Sequence, residues 1–270
     1  MSTEWRPHPQ LLLRRDGDVL HVTLDAPDRL NAQTPSLWRA LAGVATGLSE
    51  GAAPEAGTRF AVLHGTGQAF SAGLDRGMLA PGGMPGEPDL LSLAATDPQE
   101  ADRLIGGYQR AFTAWRDSPA IVVAAVQGHA VGAGFQLALG ADLRIVADDV
   151  RFVMAEPSLG LVPDLGGTAA LTELVGYSRA LEICCTARSV GAGEAVSLGL
   201  ASIAVPAEEL DAAVDDVLAA LRASPAASVG ATKALLAGAG HRARDEQLAA
   251  ERAAQVRCLR TLAAGRGADA

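Results

Sequence analysis

A short apolar strand, a glycine-rich turn and a helical stretch recur along the first two thirds of this chain. This pattern constrains the fold more than any other, because apolar runs that end in glycine and open onto helices are how buried strands are strung together. Phe60 to His64 is one such run. It leads into Gly65-Thr66-Gly67 and then Phe70-Ser71-Ala72-Gly73-Leu74-Asp75. Ile121 to Val126 is the next, followed by Gly128, Gly132 and Gly134 and by a helix beginning at Phe135. Leu143 to Ala147 and Phe152 to Met154 read as further strands, and Ser202 to Val205 as one last short one. The spacing is irregular, so the repeat is structural and not a repeat of sequence.

Around this frame, local signals place other elements. Leu11 to Asp25 reads as a hairpin about the Asp16-Gly17 turn. Thr34-Pro35 reads as a helix cap followed by proline at the first helical position. Asp97-Pro98-Gln99-Glu100 opens another helix that ends before Pro119. Between Arg76 and Asp97, three prolines and several glycines predict a surface loop with little regular structure. After Gly166-Gly167 the chain is mostly helical, and alanine-rich beyond Glu208.

Composition narrows the function. Hydrophobic residues make up 49% of the chain and aromatics 4%, so the core is built from Ala, Val and Leu. The net charge of -9 disfavours nucleic acid, whose phosphates such a chain repels. Cys184, Cys185 and Cys258 show no Cys-x-x-Cys spacing and read as reduced thiols of a cytoplasmic protein. The start of the chain lacks the apolar run of a secretion signal, and no stretch is apolar enough to imply membrane insertion. No His/Cys/Asp cluster has metal-ligand spacing, so no metal is expected.

The chemistry sits at the two glycine-rich turns. A turn of this kind at a helix start presents unpaired backbone N–H groups at a positive helix end. Two such groups aimed at one point make an oxyanion hole. The candidate donors are the N–H of Leu74, after Gly73, and the N–H of Ala133, between Gly132 and Gly134.

The stretches Ala69-Phe-Ser-Ala-Gly-Leu-Asp75, Gly128-His-Ala-Val-Gly-Ala-Gly-Phe-Gln-Leu-Ala138 and Phe152-Val-Met-Ala-Glu-Pro-Ser-Leu-Gly-Leu-Val-Pro-Asp-Leu-Gly-Gly-Thr168 resemble the three signature segments of the enoyl-CoA hydratase/isomerase (crotonase) superfamily. Asn31-Ala32 and the segment from Gly193-Glu194-Ala195 to Gly199-Leu200 fit it too, so the resemblance covers nearly the whole chain. It implies an α/β fold: a spiral of strand-strand-helix units over residues 1–205, then a helical C-terminal region over 206–270 that serves in oligomerisation and as an active-site lid. It implies an acyl-CoA thioester as ligand, no cofactor beyond the coenzyme A of the substrate, and assembly as a homotrimer or a dimer of trimers. Leu74 and Ala133 fall on the family's oxyanion-hole positions. Arg29, Asn31, Ala32, Ala72, Gly73, Asp75 and Gly132 fall where substrate or coenzyme A is bound.

Family hydratases carry two glutamates that activate a water. Their positions fall here on Gln136 and Glu156. Gln136 stays a candidate site residue, able to hydrogen-bond a water or a thioester, but a glutamine takes up no proton near neutral pH, which counts against the two-carboxylate mechanism. Glu156 remains as a base, and one carboxylate is enough to carry a proton from one carbon to another. Asp164 adds a second acid, at a place where dienoyl-CoA isomerases of the family have one; its competing reading is a helix cap before Gly166-Gly167. The expected reaction is thus double-bond isomerisation of an enoyl-CoA. Hydration, decarboxylation and non-catalytic acyl-CoA binding are the alternatives. His64, His129 and Lys233 are weaker candidates for ligand contact. A dinucleotide site fails because the third glycine of Gly65-Thr66-Gly67 falls on Phe70, and a serine hydrolase fails because Ser71 lacks the first glycine of a nucleophile elbow.

Overall fold

The structure is a computed structural model that describes residues 2–51 and 57–268, with side chains through 264. Residues Met1–Asp215 form one compact unit and Asp216–Ala270 a second.

In the first unit the strands are β1 (Thr3–His8), β2 (Leu11–Asp16), β3 (Val19–Leu24), β4 (Phe60–Gly65), β5 (Ala69–Ser71), β6 (Ile121–Val126), β7 (His129–Val131), β8 (Leu143–Ala147), β9 (Arg151–Val153), β10 (Ser189–Gly191) and β11 (Ile203–Val205). Seven of them form one sheet in the order β1-β2-β3-β4-β6-β8-β11, and four form another in the order β10-β9-β7-β5. From β3 onward the larger sheet is parallel. Its central strands are apolar, β6 along its whole length and β4 through Leu63, as strands covered on both faces must be.

The expected recurrence is visible as geometry. β4 is followed by β5, β6 by β7 and β8 by β9, each first strand entering the large sheet and each second strand the small one. Glycine stands between the paired strands at Gly67 and Gly128, and just after the second strand at Gly73 and Gly132. The predicted hairpin is present, with Asp16 opposite Val19 and Gly17 in the left-handed region at φ +59°. β1 has no counterpart in the sequence reading.

The helices are α1 (Pro35–Glu50), α2 (Leu90–Thr96), α3 (Pro98–Asp117), α4 (Ala133–Leu139), α5 (Gly167–Val175), α6 (Tyr177–Thr186), α7 (Ala192–Ser197), α8 (Leu210–Arg222), α9 (Ala226–Ala239) and α10 (Arg244–Ala268). The Thr34 hydroxyl accepts from Leu37 N, and the Asp97 carboxylate from Glu100 N, so both predicted caps form. Part of the Gly51–Gly57 connection lies outside the described residues. The expectation of a largely irregular 76–97 segment is corrected. Arg76–Leu79 is a 3-10 turn capped by Asp75, and α2 is a helix whose first N–H groups are taken by the Asp89 carboxylate.

The core lies between α1, α3 and the large sheet. Trp38 on α1 meets Tyr108 and Phe112 of α3 with ring centroids 5.2 and 5.6 Å apart. Phe135 of α4 and Phe152 of β9 stack at 4.8 Å, which ties the start of α4 to the small sheet. Buried Arg144 on β8 donates to the carbonyls of Ala138, Ala141 and Leu200, satisfying the C-terminal end of α4 with a cation. α4 is thereby pinned at both ends. In the second unit, Gln247 at the start of α10 donates to the carbonyl of Leu235 on α9. Among the described residues no helix is long and apolar enough to cross a membrane.

Candidate active site

Two chain crossings build the site. At the first, Gln33 pairs beside the turn after β5: Gln33 N donates to Gly73 O at 2.7 Å, and Asp75 N donates to Gln33 O at 2.8 Å. In a parallel bridge of this kind the residue between, Leu74, turns its own N–H to the opposite side. None of the described hydrogen bonds uses that N–H.

The turn is held from beneath. Asn31 is buried in a left-handed conformation at φ +54°. Its side chain explains why that strain is tolerated: Nδ2 donates to Thr66 O and Ala69 O, and Oδ1 accepts from Ala26 N. Ser71 Oγ accepts from Gly73 N and from Gln33 Nε2 and donates to Asn31 O. Every bonding position of that hydroxyl is used, so Ser71 is a buried brace and not a nucleophile. Ala72 N donates to Leu30 O, and Ala32 O accepts from Gln10 Nε2, so these two residues act through their backbones. Asp75 caps the 76–79 turn through Gly77 N and forms an ion pair with Arg29. About half of the Arg29 side chain stays in solvent.

At the second crossing the chain passes from β7 through Gly132 into α4. The helix begins at Ala133, two residues before the sequence suggests, and this matters for the chemistry. Ala133 is the first helical residue, and its N–H has no partner within the helix. Gly132 has φ +51° and ψ −117°, a conformation that favours glycine. The two crossings meet. A β-carbon on Gly73 would overlap Val131 O and stand 3.4 Å from Ala133 N. The predicted donors Leu74 and Ala133 are therefore brought to one place.

Glu156 opens a 3-10 turn, Glu156–Leu159, after β9. Its carboxylate lies against Gly132, where an added β-carbon would be 3.1 Å from Oε1. Gln136 Nε2 donates to Oε1 at 2.7 Å. Oε2 is buried and has no hydrogen-bond partner among the described residues. Burial pushes the Glu156 carboxyl above its ordinary value, its own backbone N–H and then the Gln136 bond oppose this, and nearby Asp164 adds to the rise. Asp164 is likewise pushed up by burial. Its carboxylate does not cap α5, whose cap position is Gly166 with no side-chain bond, so the competing helix-cap reading of Asp164 is corrected.

Several contributors were not singled out in the sequence. Gln33 shapes the first crossing and stands beside the Asn31-Ala32 motif that could have flagged it, and Ser71, read in the sequence only as a failed nucleophile, braces the same crossing. Gln109 on α3 donates to Asp164 O at 2.6 Å and fixes that loop from the other side. Burial raises the Cys184 thiol on α6, followed by neighbouring Cys185 and then the Glu156 carboxylate, which lies close enough to add to the rise. His64 bonds Thr23 Oγ1, and with His129 it lines a cavity of about 830 Å³ to which Glu156, Leu74 and Ala133 do not contribute. Lys233 sits on α9, in the second unit. Among the described residues, no group of three or more His, Cys, Asp or Glu is placed to hold a metal.

Two backbone N–H groups beside a buried carboxylate can hold a developing oxyanion and move a proton next to it. Known proteins share this frame. The family model described as enoyl-CoA hydratase/isomerase matches residues 14–270. The chain belongs to that family, the crotonase superfamily, and its α/β strand-strand-helix architecture is the family's. Its relatives include the Mycobacterium tuberculosis protein named Probable enoyl-CoA hydratase EchA17, 35% identical over 254 residues, 94% of this chain and 88% of that one. The human mitochondrial Delta(3,5)-Delta(2,4)-dienoyl-CoA isomerase is 32% identical over 203 residues, 73% of this chain and 58% of that one. A Thermobifida fusca YX protein solved in complex with acetoacetyl-CoA superposes with a TM-score of 0.86 at 45% identity, covering 93% of this chain and 95% of that one.

Proposed function

We propose that this protein isomerises the double bond of an enoyl-CoA thioester, with Glu156 as the single proton carrier and the N–H groups of Leu74 and Ala133 as the oxyanion hole. One observation carries the reading. Beside the oxyanion turn stands the Glu156 carboxylate, with one oxygen held by an amide and the other buried without a partner among the described residues. The complexes of the Thermobifida fusca protein with acetoacetyl-CoA and with coenzyme A support the ligand class.

The Glu156 carboxylate takes a proton from the carbon between the thioester and a 3,4 double bond. The electron pair moves onto the thioester oxygen, where the two N–H groups hold it. The same carboxyl then returns the proton to the far carbon of the dienolate, giving the conjugated 2-enoyl thioester. A carboxyl whose pKa burial has raised serves both steps, since it holds a proton more readily than an exposed one and still releases it. No water is consumed, so no second carboxylate is needed. Exposed Leu236, Val256, Leu259 and Leu262 in the C-terminal helices suit an assembly role for that region in trimers.

A second reading has an observation of its own. Glu156 and Asp164 interact and are both raised, as a donor–acceptor pair acting on a longer conjugated substrate would be. The test of both is ultraviolet absorbance of the protein mixed with a medium-chain 3-enoyl-CoA or a 3,5-dienoyl-CoA. Rising conjugated-thioester absorbance with the first supports the single-carrier reaction, and turnover of the second alone supports the pair. Tight thioester binding with no spectral change overturns both.

A further inference from the structure

We infer that Gln136 is a positioning residue, a latch that holds Oε1 of Glu156 and so makes Oε2 the only oxygen that carries the proton. The inference rests on the proton-carrying reading of Glu156 and says what makes that carrier one-sided.

Gln136 is 1% exposed, on the second turn of α4. Both ends of its amide are engaged. Oε1 accepts from Leu165 N at 2.9 Å and from Gly167 N at 3.1 Å, and Nε2 donates to Glu156 Oε1 at 2.7 Å. Two N–H donors at one end fix the orientation of the amide, because only the carbonyl oxygen can meet them. The nitrogen must therefore face Glu156. With both acceptor positions spent on the backbone, Gln136 has no oxygen left to orient a water, so it is placed outside the role of the missing second carboxylate.

The latch also closes a loop. Leu165 and Gly167 bracket the start of α5, and Asp164 immediately precedes them, so the same amide that orients Glu156 fixes the segment carrying Asp164. Gly167 is fitted to this contact: a β-carbon there would lie 2.7 Å from Gln136 Cγ and 2.9 Å from its Oε1. The groups facing Glu156 are thus Gln136 from α4, Asp164 from the loop before α5 and Cys184 from α6. Of these side chains, only Gln136 donates a hydrogen bond to the carboxylate, beside the one from Glu156's own backbone N–H.

Gln136→Glu would put an oxygen where Nε2 now stands, 2.7 Å from Glu156 Oε1. Two carboxyl oxygens at that distance share a proton, and the pair gives up its last proton only at higher pH. Gln136→Met removes the donor and leaves two backbone N–H groups unpaired.

The test is the carboxyl ¹³C titration of Glu156 in the ligand-free protein, assigned by its loss in Glu156→Gln, together with the pH profile of kcat/KM. In both Gln136 variants the Glu156 midpoint is expected above that of wild type, the acid limb of the profile is expected to move up with it, and kcat is expected to fall about 100-fold at pH 7 with KM little changed. Gly167→Ala is expected to move the same midpoint without altering either side chain. Unmoved midpoints, accompanied only by a lower Tm, would overturn the latch and leave Gln136 a packing residue. If Gln136→Met does not fold, Gln136→Glu carries the test, since it keeps acceptors for Leu165 and Gly167. The titration needs no substrate, so an inactive wild type would count against the isomerase reading and leave the latch result standing.

Discussion

Glu156 and Glu182 are the same residue type, 26 positions apart, and the molecule treats them oppositely. Glu182 on α6 is bound by Arg179 and by Arg188, with contacts of 2.6 and 2.5 Å, in an exposed cluster that Arg188 extends to Glu194. Those guanidinium bonds pull its carboxyl down to about 2. Among the described residues Glu156 has no cation: its carboxylate is largely shielded from solvent, takes one side-chain amide bond and is pushed up. Charged partners make Glu182 a permanent anion, whereas burial keeps Glu156 close to its proton. A carboxylate that must collect and release a proton belongs in the second setting.

The comparison breaks first at Glu156. Glu156→Gln is expected to lower turnover by about 10²–10⁴-fold while leaving thioester affinity within a few-fold, checked by the absorbance assay and by calorimetry. Full activity in this variant would remove Glu156 as the base. Next in size is the oxyanion side. Gly73→Ala forces a β-carbon against Val131 O from a left-handed backbone at φ +84°, displacing the Leu74 N–H, and is expected to cost about 10²–10³-fold in kcat. Circular dichroism must show the variant folded for that loss to count. Asp164→Asn then sharpens the choice between one carrier and two. Under the single-carrier mechanism it changes 3-enoyl-CoA turnover by less than about tenfold, whereas a true pair would lose as much as Glu156→Gln loses.

How far this contrast could be read in the sequence depends on the range of the contacts. Thr34, Pro35 and Asp97 were legible because a cap is settled within three or four residues. Asp16-Gly17 was legible for the same reason. The segment 76–97 was misjudged because its prolines and glycines outweighed one local signal, the Asp89 cap before Leu90-Leu91. β1 has a largely exposed side-chain pattern and contains Pro7, so nothing in its own residues announces pairing with β2. The site divides likewise. Leu74, Ala133 and Glu156 stand in recognisable motifs. The duty of Gln136 does not, because its partners lie 20, 29 and 31 residues away. A sequence shows that an amide is present and not which of its ends is used.

The pH dependence of stability separates the two glutamates without any substrate. Glu156 has a folded pKa above its ordinary value of 4.5. Its contribution is fully present below that value and is lost as pH rises toward the folded pKa. Glu156→Gln removes that loss, so its Tm should match wild type in acid and exceed it by an increasing margin on the way to neutral pH, as active-site strain is relieved. Glu182 has a folded pKa of about 2. Its contribution is present above 4.5 and fades as pH falls toward 2.

The smallest expected effect is that of Glu182→Gln. The side chain is partly exposed, Arg179 more so and Arg188 less, so solvent and salt screen much of the attraction. Turnover should not change. Any small loss of Tm at pH 7 should vanish in about 0.5 M salt, because the ion pair it reflects is surface-screened. A large, salt-resistant loss would mean that the Arg188 cluster is a structural clamp on α6. Cys184 and the wall beside Glu156 stand on that helix, so the two regions would then be coupled and not merely contrasted. Measuring turnover and Tm of Glu182→Gln in low and high salt decides between these, since only a clamp would carry the surface change through to the catalytic carboxyl.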